Sequence, residues 1–194
     1  MGALRCRHML LSYIEDLMAM PQIKEKDSEY HVYDALVESW LIRQESKPDA
    51  KVSAKDLLKA SIILAAIMQI REKRSISEQD LDALIKKIED VLPITKIDIK
   101  GKSLINRNSD GDYRFSHFSI QEFLVAKMLL EKPDGKFWFT PKHTIRMTDF
   151  IVKMILVSGK VPNFIELIDF NGIKDLKGIN LSGTDLSGKD FSNA

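Results

Sequence analysis

The feature that most constrains this chain is a period of five near its C-terminus. Leu176, Leu181, Leu186 and Phe191 recur every five residues. Each follows an Asp or Asn (Asp175, Asn180, Asp185, Asp190), and Gly178, Gly183 and Gly188 keep the same register. Five matches neither the 3.6 of an α-helix nor the 2 of a flat strand. It suits a four-sided β-solenoid in which each side turns one apolar residue inward. Four pentads make about one coil, and one coil cannot bury its own core. The segment must therefore stack on something else. The three Asp and three Lys of 174–190 cancel, so it is not a charged tail.

Upstream the periodicity is helical. Met9, Leu10, Tyr13, Ile14, Leu17 and Met18 share a stripe ended by Pro21, and Glu29–Gln44 carries Tyr33, Leu36, Val37, Trp40 and Leu41 on another. A capping box then recurs three times. Ser53-Ala-Lys-Asp56 is flanked by Val52 and Leu57, Ser77-Glu-Gln-Asp80 by Ile76 and Leu81, and Ser119-Ile-Gln-Glu122 by Phe118 and Phe123. These mark helices over 54–72, 78–91 and 120–131. The first is apolar almost all round and is expected at the centre of the core. Ile94, Ile97 and Ile99 suggest a strand or extended segment. Ser103–Arg107, the turn Asn108-Ser-Asp-Gly111 and Asp112–Ser116 read as a β-hairpin. Residues 133–143 are loop-like, Ile145–Val157 is a helix closed by Gly159, and Pro162–Phe170 is a short helix. The expected fold is mainly α with a small β-hairpin wing, winged-helix-like but with a variant order, followed by the start of a right-handed β-solenoid.

Composition narrows the function classes. The 194 residues carry a net charge of +1, so no global field attracts nucleic acid or an anionic membrane. Cys6 is the single cysteine, which excludes an internal disulfide and a Cys-rich zinc site. The longest apolar run, Ile62–Met68, is far short of the roughly 20 residues of a membrane span. Glu15 and Asp16 interrupt the apolar N-terminus, so no signal peptide is read. A soluble, cytoplasmic protein is expected.

Catalytic chemistry has no visible carrier. Gly101-Lys102-Ser103 resembles the end of a phosphate-binding loop, but Lys96 stands where its first glycine belongs and a hairpin follows instead of a helix. His8, His31, His117 and His143 form no close ligand pair, and no metal site is expected. No GxSxG nucleophile motif is present. His117 stands out because it sits at the start of a well-marked helix, where free N–H groups and the positive dipole end favour anions. Two readings remain: an imidazole donating to a phosphate oxygen, or a corner histidine bonded to backbone. Trp40 fits a helix core stripe. Phe137-Trp138-Phe139 either packs a loop onto the body or meets a neighbour.

The stretch SLINRNSDGDYRFSHFSIQEFLVAKMLLE resembles the winged-helix end of the NACHT family of STAND-type signal-transduction NTPases. The matching residues are Ser103-Leu104-Ile105, Tyr113-Arg114-Phe115, His117, Ser119 to Leu124 and Ala126. HVYDALVESWLIRQE is similar to a helix of bacterial members, and LRCRHMLLSYIEDLM to the segment that closes their NTPase core. The resemblance covers about 4–131 and is specific over 103–127. The segment 172–194 resembles a pentapeptide-repeat solenoid, although its first repeat position holds Ile179, Thr184 or Lys189.

The resemblance implies an organisation and a mechanism. Residues 1–50 would adjoin an NTPase core, 51–132 would form the winged-helix-like domain, 133–171 a helical linker, and 172–194 about one coil of repeats. His117 would contact the β-phosphate of ADP and hold a closed resting state. His8 stands where the family has an adenine-packing proline, a departure from the pattern. The P-loop, the Walker B acidic cluster and Mg²⁺ belong to a part of the family pattern that would precede Met1. The chain is thus expected to be a non-catalytic regulatory region that needs no cofactor of its own. Its partners would be the NTPase core and, through the repeats, a trigger ligand or protein, and an oligomer is expected only of the parent. A bacterial defence role follows only from the family. Two alternatives are a winged-helix nucleic-acid binder using 120–131, which carries few cations, and a pentapeptide-repeat interaction module.

Overall fold

A computed structural model describes residues 29–48, 50–131, 144–159, 161, 170, 173, 176–179 and 181–192. The sequence readings for 9–20, for His8, for Phe137-Trp138-Phe139 and for the helix beginning at Pro162 lie outside these residues. The described elements are α1 (Glu29–Glu45), α2 (Ala54–Ile70), α3 (Glu78–Glu89), α4 (Lys96–Lys102), β1 (Ile105–Arg107), β2 (Tyr113–Phe115), α5 (Phe118–Glu131) and α6 (Ile145–Ser158). The architecture is mainly helical, with one small antiparallel two-stranded sheet.

Two of the three boxes form their serine caps where the spacing predicts, without the reciprocal bond from the acidic side chain. The Ser53 hydroxyl accepts the Asp56 N–H at 3.1 Å and opens α2, and Ser77 accepts the Asp80 N–H at 3.2 Å and opens α3. The flanking apolar pairs, Val52 with Leu57 and Ile76 with Leu81, are all buried. Each cap satisfies a donor that a helix end otherwise leaves open.

The segment around Ile94, Ile97 and Ile99 is a helix, which corrects the extended reading. Thr95 accepts the Asp98 N–H at 3.3 Å, and Asp98 accepts the Thr95 N–H at 3.1 Å, a complete reciprocal box. The helix turns Ile99 into the core (0% exposed) and leaves Ile97 in solvent (77% exposed). Short apolar runs carry little period, so local hydrogen bonding decided between the two states.

The hairpin forms in the expected register, with Ile105 opposite Phe115 and Arg107 opposite Tyr113. Its turn is held by the Asn108 side chain, whose oxygen accepts the Asp110 and Asp112 N–H groups at 3.0 and 2.9 Å. Gly111 takes φ +86°, which residues with a Cβ seldom adopt. Tyr113 also exchanges two backbone bonds with Ile76, at 2.8 and 2.9 Å. The segment before α3 thus joins the hairpin edge. Three helices therefore precede the hairpin, and α5 follows it, the placement of the hairpin before the last helix that the sequence suggests.

The core is centred on α5. Every residue from Ser119 to Ala126 is buried, whereas Leu58, Ile62, Ile63 and Ile67 of α2 are only half-buried and Ile70 is 45% exposed. The expectation that α2 is the central helix is corrected accordingly. Phe123 meets Tyr30, Tyr33 and Phe150 at ring distances of 5.2, 5.7 and 5.4 Å, joining α1, α5 and α6. Arg146 and Lys153 of α6 both bond Glu29 at the start of α1. Gly159 closes α6 at φ +66°, its N–H bonding the Ile155 carbonyl at 2.8 Å.

The pentads fold as a regular series of turns. Leu176, Leu181 and Leu186 each accept the N–H of the residue three positions on, at 3.1, 3.2 and 3.1 Å. Each turn places its glycine at φ +82°, +79° or +72°, the left-handed position of a type II turn. Asp185 and Asp190 bond the N–H two residues on, both at 2.9 Å. The Ser187 bonds hold the Asp185 carboxyl below its ordinary range, and Ser192 does the same for Asp190. The apolar residue of each pentad packs against the body, and Phe191 stacks on Phe170 with ring centres 5.4 Å apart.

Candidate functional site

The corner between β2 and α5 holds His117. The third box, predicted to open at Ser119, is replaced here. Helix α5 already begins at Phe118, and His117 is its cap. Its Nδ1 accepts the Ser119 N–H at 3.2 Å, and its carbonyl accepts the Ile120 N–H at 3.0 Å. The imidazole does what a serine oxygen does at α2 and α3.

Ser119 is thereby released for another task. Its hydroxyl lies 2.6 Å from His117 Nδ1 and 2.7 Å from the phenol oxygen of Tyr33, 86 residues away on α1. Proton counting sets the direction of both bonds. Nδ1 accepts a backbone N–H, so it carries a lone pair and no proton. The Ser119 O–H must then donate to it. With its one proton committed, Ser119 can only accept from Tyr33. The bonds run Tyr33 to Ser119 to His117, and the neutral ring keeps its proton on Nε2. Tyr33 and Ser119 are buried at 0% and 4% exposure, whereas His117 as a whole residue is exposed.

The other residues of this stretch tie α5 to its neighbours. Gln121 donates to the side chain of Gln69 in the last turn of α2 at 3.2 Å and to the carbonyl of Lys73 just beyond it at 3.3 Å. Glu122 accepts the hydroxyl of Thr144, the cap of α6, at 2.6 Å. The Arg74 guanidinium lies 4.3 Å over the Phe118 ring. Sequence reasoning singled out His117 alone. Gln121, Glu122 and the relay role of Ser119 were missed, because their partners are remote in sequence.

The corner has the chemistry of an anion contact: a ring nitrogen fixed as a donor at the start of a 14-residue helix. The Ser119 hydroxyl is within reach of the His117 ring, but it is buried and also bonded to Tyr33. Among the described residues, no group of three His, Cys, Asp or Glu side chains is placed to hold a metal ion. No described helix is long and apolar enough to cross a membrane. Gly101-Lys102-Ser103 ends α4, where Lys102 pairs with Asp98 at 3.2 Å, and makes no phosphate cradle. A separate cleft of about 290 Å³ lies between α1, α2 and α5, with Val37, Leu41 and Leu58 on its walls and the Lys127–Asp34 pair (3.0 Å) at its edge.

No protein-family model, curated protein or solved structure matches the chain.

Proposed function

We propose that this chain is the regulatory, non-catalytic part of a NACHT-type signal-transduction NTPase, in which His117 helps to hold an ADP-bound resting state. One observation carries the reading: the cap at α5 leaves the His117 proton on Nε2, so a neutral ring donates at a helix start. A donor of that kind serves a phosphate oxygen. In this reading the P-loop and Mg²⁺ would be supplied by an NTPase core that these residues adjoin. A cytoplasmic setting follows from the same reading.

Two further features support it. The order α2, Ile76 edge, α3, α4, hairpin suits a winged-helix domain, with α5 packed behind it. The evenly spaced turns over 176–191 suit the sides of a pentapeptide-repeat coil, and Phe191 stacks on Phe170 about one coil away. A repeat array standing on α6 can pass a ligand signal to the helices around His117.

The nucleic-acid alternative meets an obstacle. In a winged-helix domain the helix before the wing, here α4, would enter the groove. Its Lys96 bonds Asp82 at 2.5 Å, Lys100 bonds Glu78 and Asp82 at 2.7 Å each, and Lys102 bonds Asp98. Burial works against the Lys100 charge, but Asp82 and Glu78 outweigh it and hold the amine protonated. Cations neutralised in this way release no counterions from phosphates.

The test is to purify the natural protein from its source cells with an antibody against this chain, then measure its mass and extracted nucleotide. A mass far above 22.1 kDa with about one ADP per chain, lost in His117→Ala, is expected. A nucleotide-free protein of 22.1 kDa, or equal ADP in wild type and variant, overturns the proposal.

A further inference from the structure

We infer that Tyr33 is a positioning residue for His117, and that docking of α1 onto α5 reinforces the Nε2-protonated ring that the Ser119 N–H already favours. The relay itself is independent of any ligand; its meaning for ADP rests on the function proposed above.

Ser119 is the hinge of the argument. Its hydroxyl sits between two groups, at 2.7 Å from Tyr33 and 2.6 Å from His117, and it is buried, so water does not stand in for either. With Tyr33 donating to it, the only productive direction for its own proton is toward Nδ1. Remove the phenol O–H and the constraint disappears: the hydroxyl can rotate, and Nδ1 loses a donor that disfavours its own protonation. Chained donors also strengthen one another in a low-dielectric interior.

The phenol is not positioned by α5. It is carried by α1 and held by its ring, 4.8 Å from Phe150 and 5.7 Å from Phe123, with the Arg146 guanidinium 5.7 Å over it. Arg146 is itself anchored to Glu29, the first residue of α1. A shift of α1 by about 1 Å stretches the Tyr33–Ser119 bond beyond hydrogen-bond range. The state of His117 therefore reports whether α1 is seated. In the proposed function, any movement that lifts α1 away also weakens the phosphate-facing donor, without touching the nucleotide.

The experiment is long-range ¹H–¹⁵N spectroscopy of the histidine rings in the full labelled chain, without nucleotide. His117 is assigned from the signals lost in His117→Gln. Wild type is expected to show an unprotonated Nδ1 and a protonated Nε2. Tyr33→Phe keeps the ring packing and removes only the O–H. Loss of that donor should raise the minor Nδ1–H form about five-fold, the factor expected for one ordinary hydrogen bond. Tyr30→Phe, whose ring also meets Phe123, should leave the His117 signals in place. Should Tyr33→Phe not fold, Ser119→Ala breaks the same link and must displace the signals at least as far. A wild-type ring protonated on Nδ1, or signals unmoved in both Tyr33→Phe and Ser119→Ala, overturns the inference. The readout contains no ADP, so it stands or falls apart from the nucleotide reading. Conversely, a ring fixed as Nε2–H in a natural protein that carries no ADP would sink that reading and leave the relay intact.

Discussion

Replacing Arg146 with Met tests how α1 is held to α6. The side chain is 18% exposed and bonds Glu29, which is 14% exposed, and Asp149 at 3.1 Å. Its guanidinium lies 4.5 Å over the Phe150 ring. Methionine keeps most of the apolar stem against Phe150 and removes the charge. Breaking a fully buried pair by deleting one partner costs about 3–5 kcal/mol, and an exposed pair about 0–1 kcal/mol. The Glu29 pair lies between these limits. The neighbour softens the loss, because Lys153 still bonds Glu29 at 2.9 Å and Asp149 at 2.7 Å. The expected destabilisation is about 2 kcal/mol, or about 6 °C in Tm for a chain of this size.

The same variant carries a pH signature. Burial raises the Glu29 carboxyl, but the bonds to Arg146 and Lys153 outweigh it and hold the group below its ordinary value of 4.5. A depressed carboxyl contributes stability that is present above its unfolded pKa and is lost as pH falls through its folded one. Arg146→Met lets the carboxyl rise. The stability gap between wild type and variant should be full at about pH 7 and shrink below about pH 4.5. Urea unfolding followed by far-ultraviolet circular dichroism across that range measures it. A variant within about 0.5 kcal/mol of wild type at neutral pH, or a gap that does not change with pH, would refute the reasoning.

Other substitutions give expectations of different sign. Phe123→Ala empties a fully buried position among three aromatic rings and should cost about 4 kcal/mol in chemical denaturation. Thr95→Ala removes the cap of α4 and should cost about 1 kcal/mol at neutral pH. Burial opposes the Asp98 charge, but the Thr95 bonds prevail and lower its pKa, so that cost should fade as pH drops through the depressed carboxyl value. Two glycines separate backbone from packing, since a Cβ at Gly101 or Gly183 meets nothing within 4 Å. Gly183→Ala should destabilise by about 1 kcal/mol, because φ +79° strains any residue with a Cβ. Gly101→Ala should stabilise by about 0.5–1 kcal/mol, because it lies in helix α4. Thermal melts of the pair returning the same sign would contradict the assigned backbone states.

Local chemistry alone determined much of this fold. The Ser53 and Ser77 boxes opened helices where their spacing said, because a cap needs only a side-chain oxygen and an N–H three residues on. Asn108 to Gly111 made the hairpin turn for the same reason, and each glycine of the pentads made its own turn. Thr95 and Asp98 have the same spacing and cap α4, although the three nearby isoleucines suggest an extended segment.

Tertiary structure decided what local rules left degenerate. Apolar residues surround both α2 and α5, which pack chiefly on each other; α6 then covers α5, while α2 keeps half-buried residues on its other side. The candidate site shows the limit most clearly. Within the sequence, Ser119 and Glu122 have the spacing of a capping box, yet neither closes one. Tyr33 and Thr144 claim their oxygens, and His117 takes over the cap. A hydroxyl has one proton and a buried phenol must have a partner, so the role of Ser119 depends on a residue 86 positions away that no local spacing reveals.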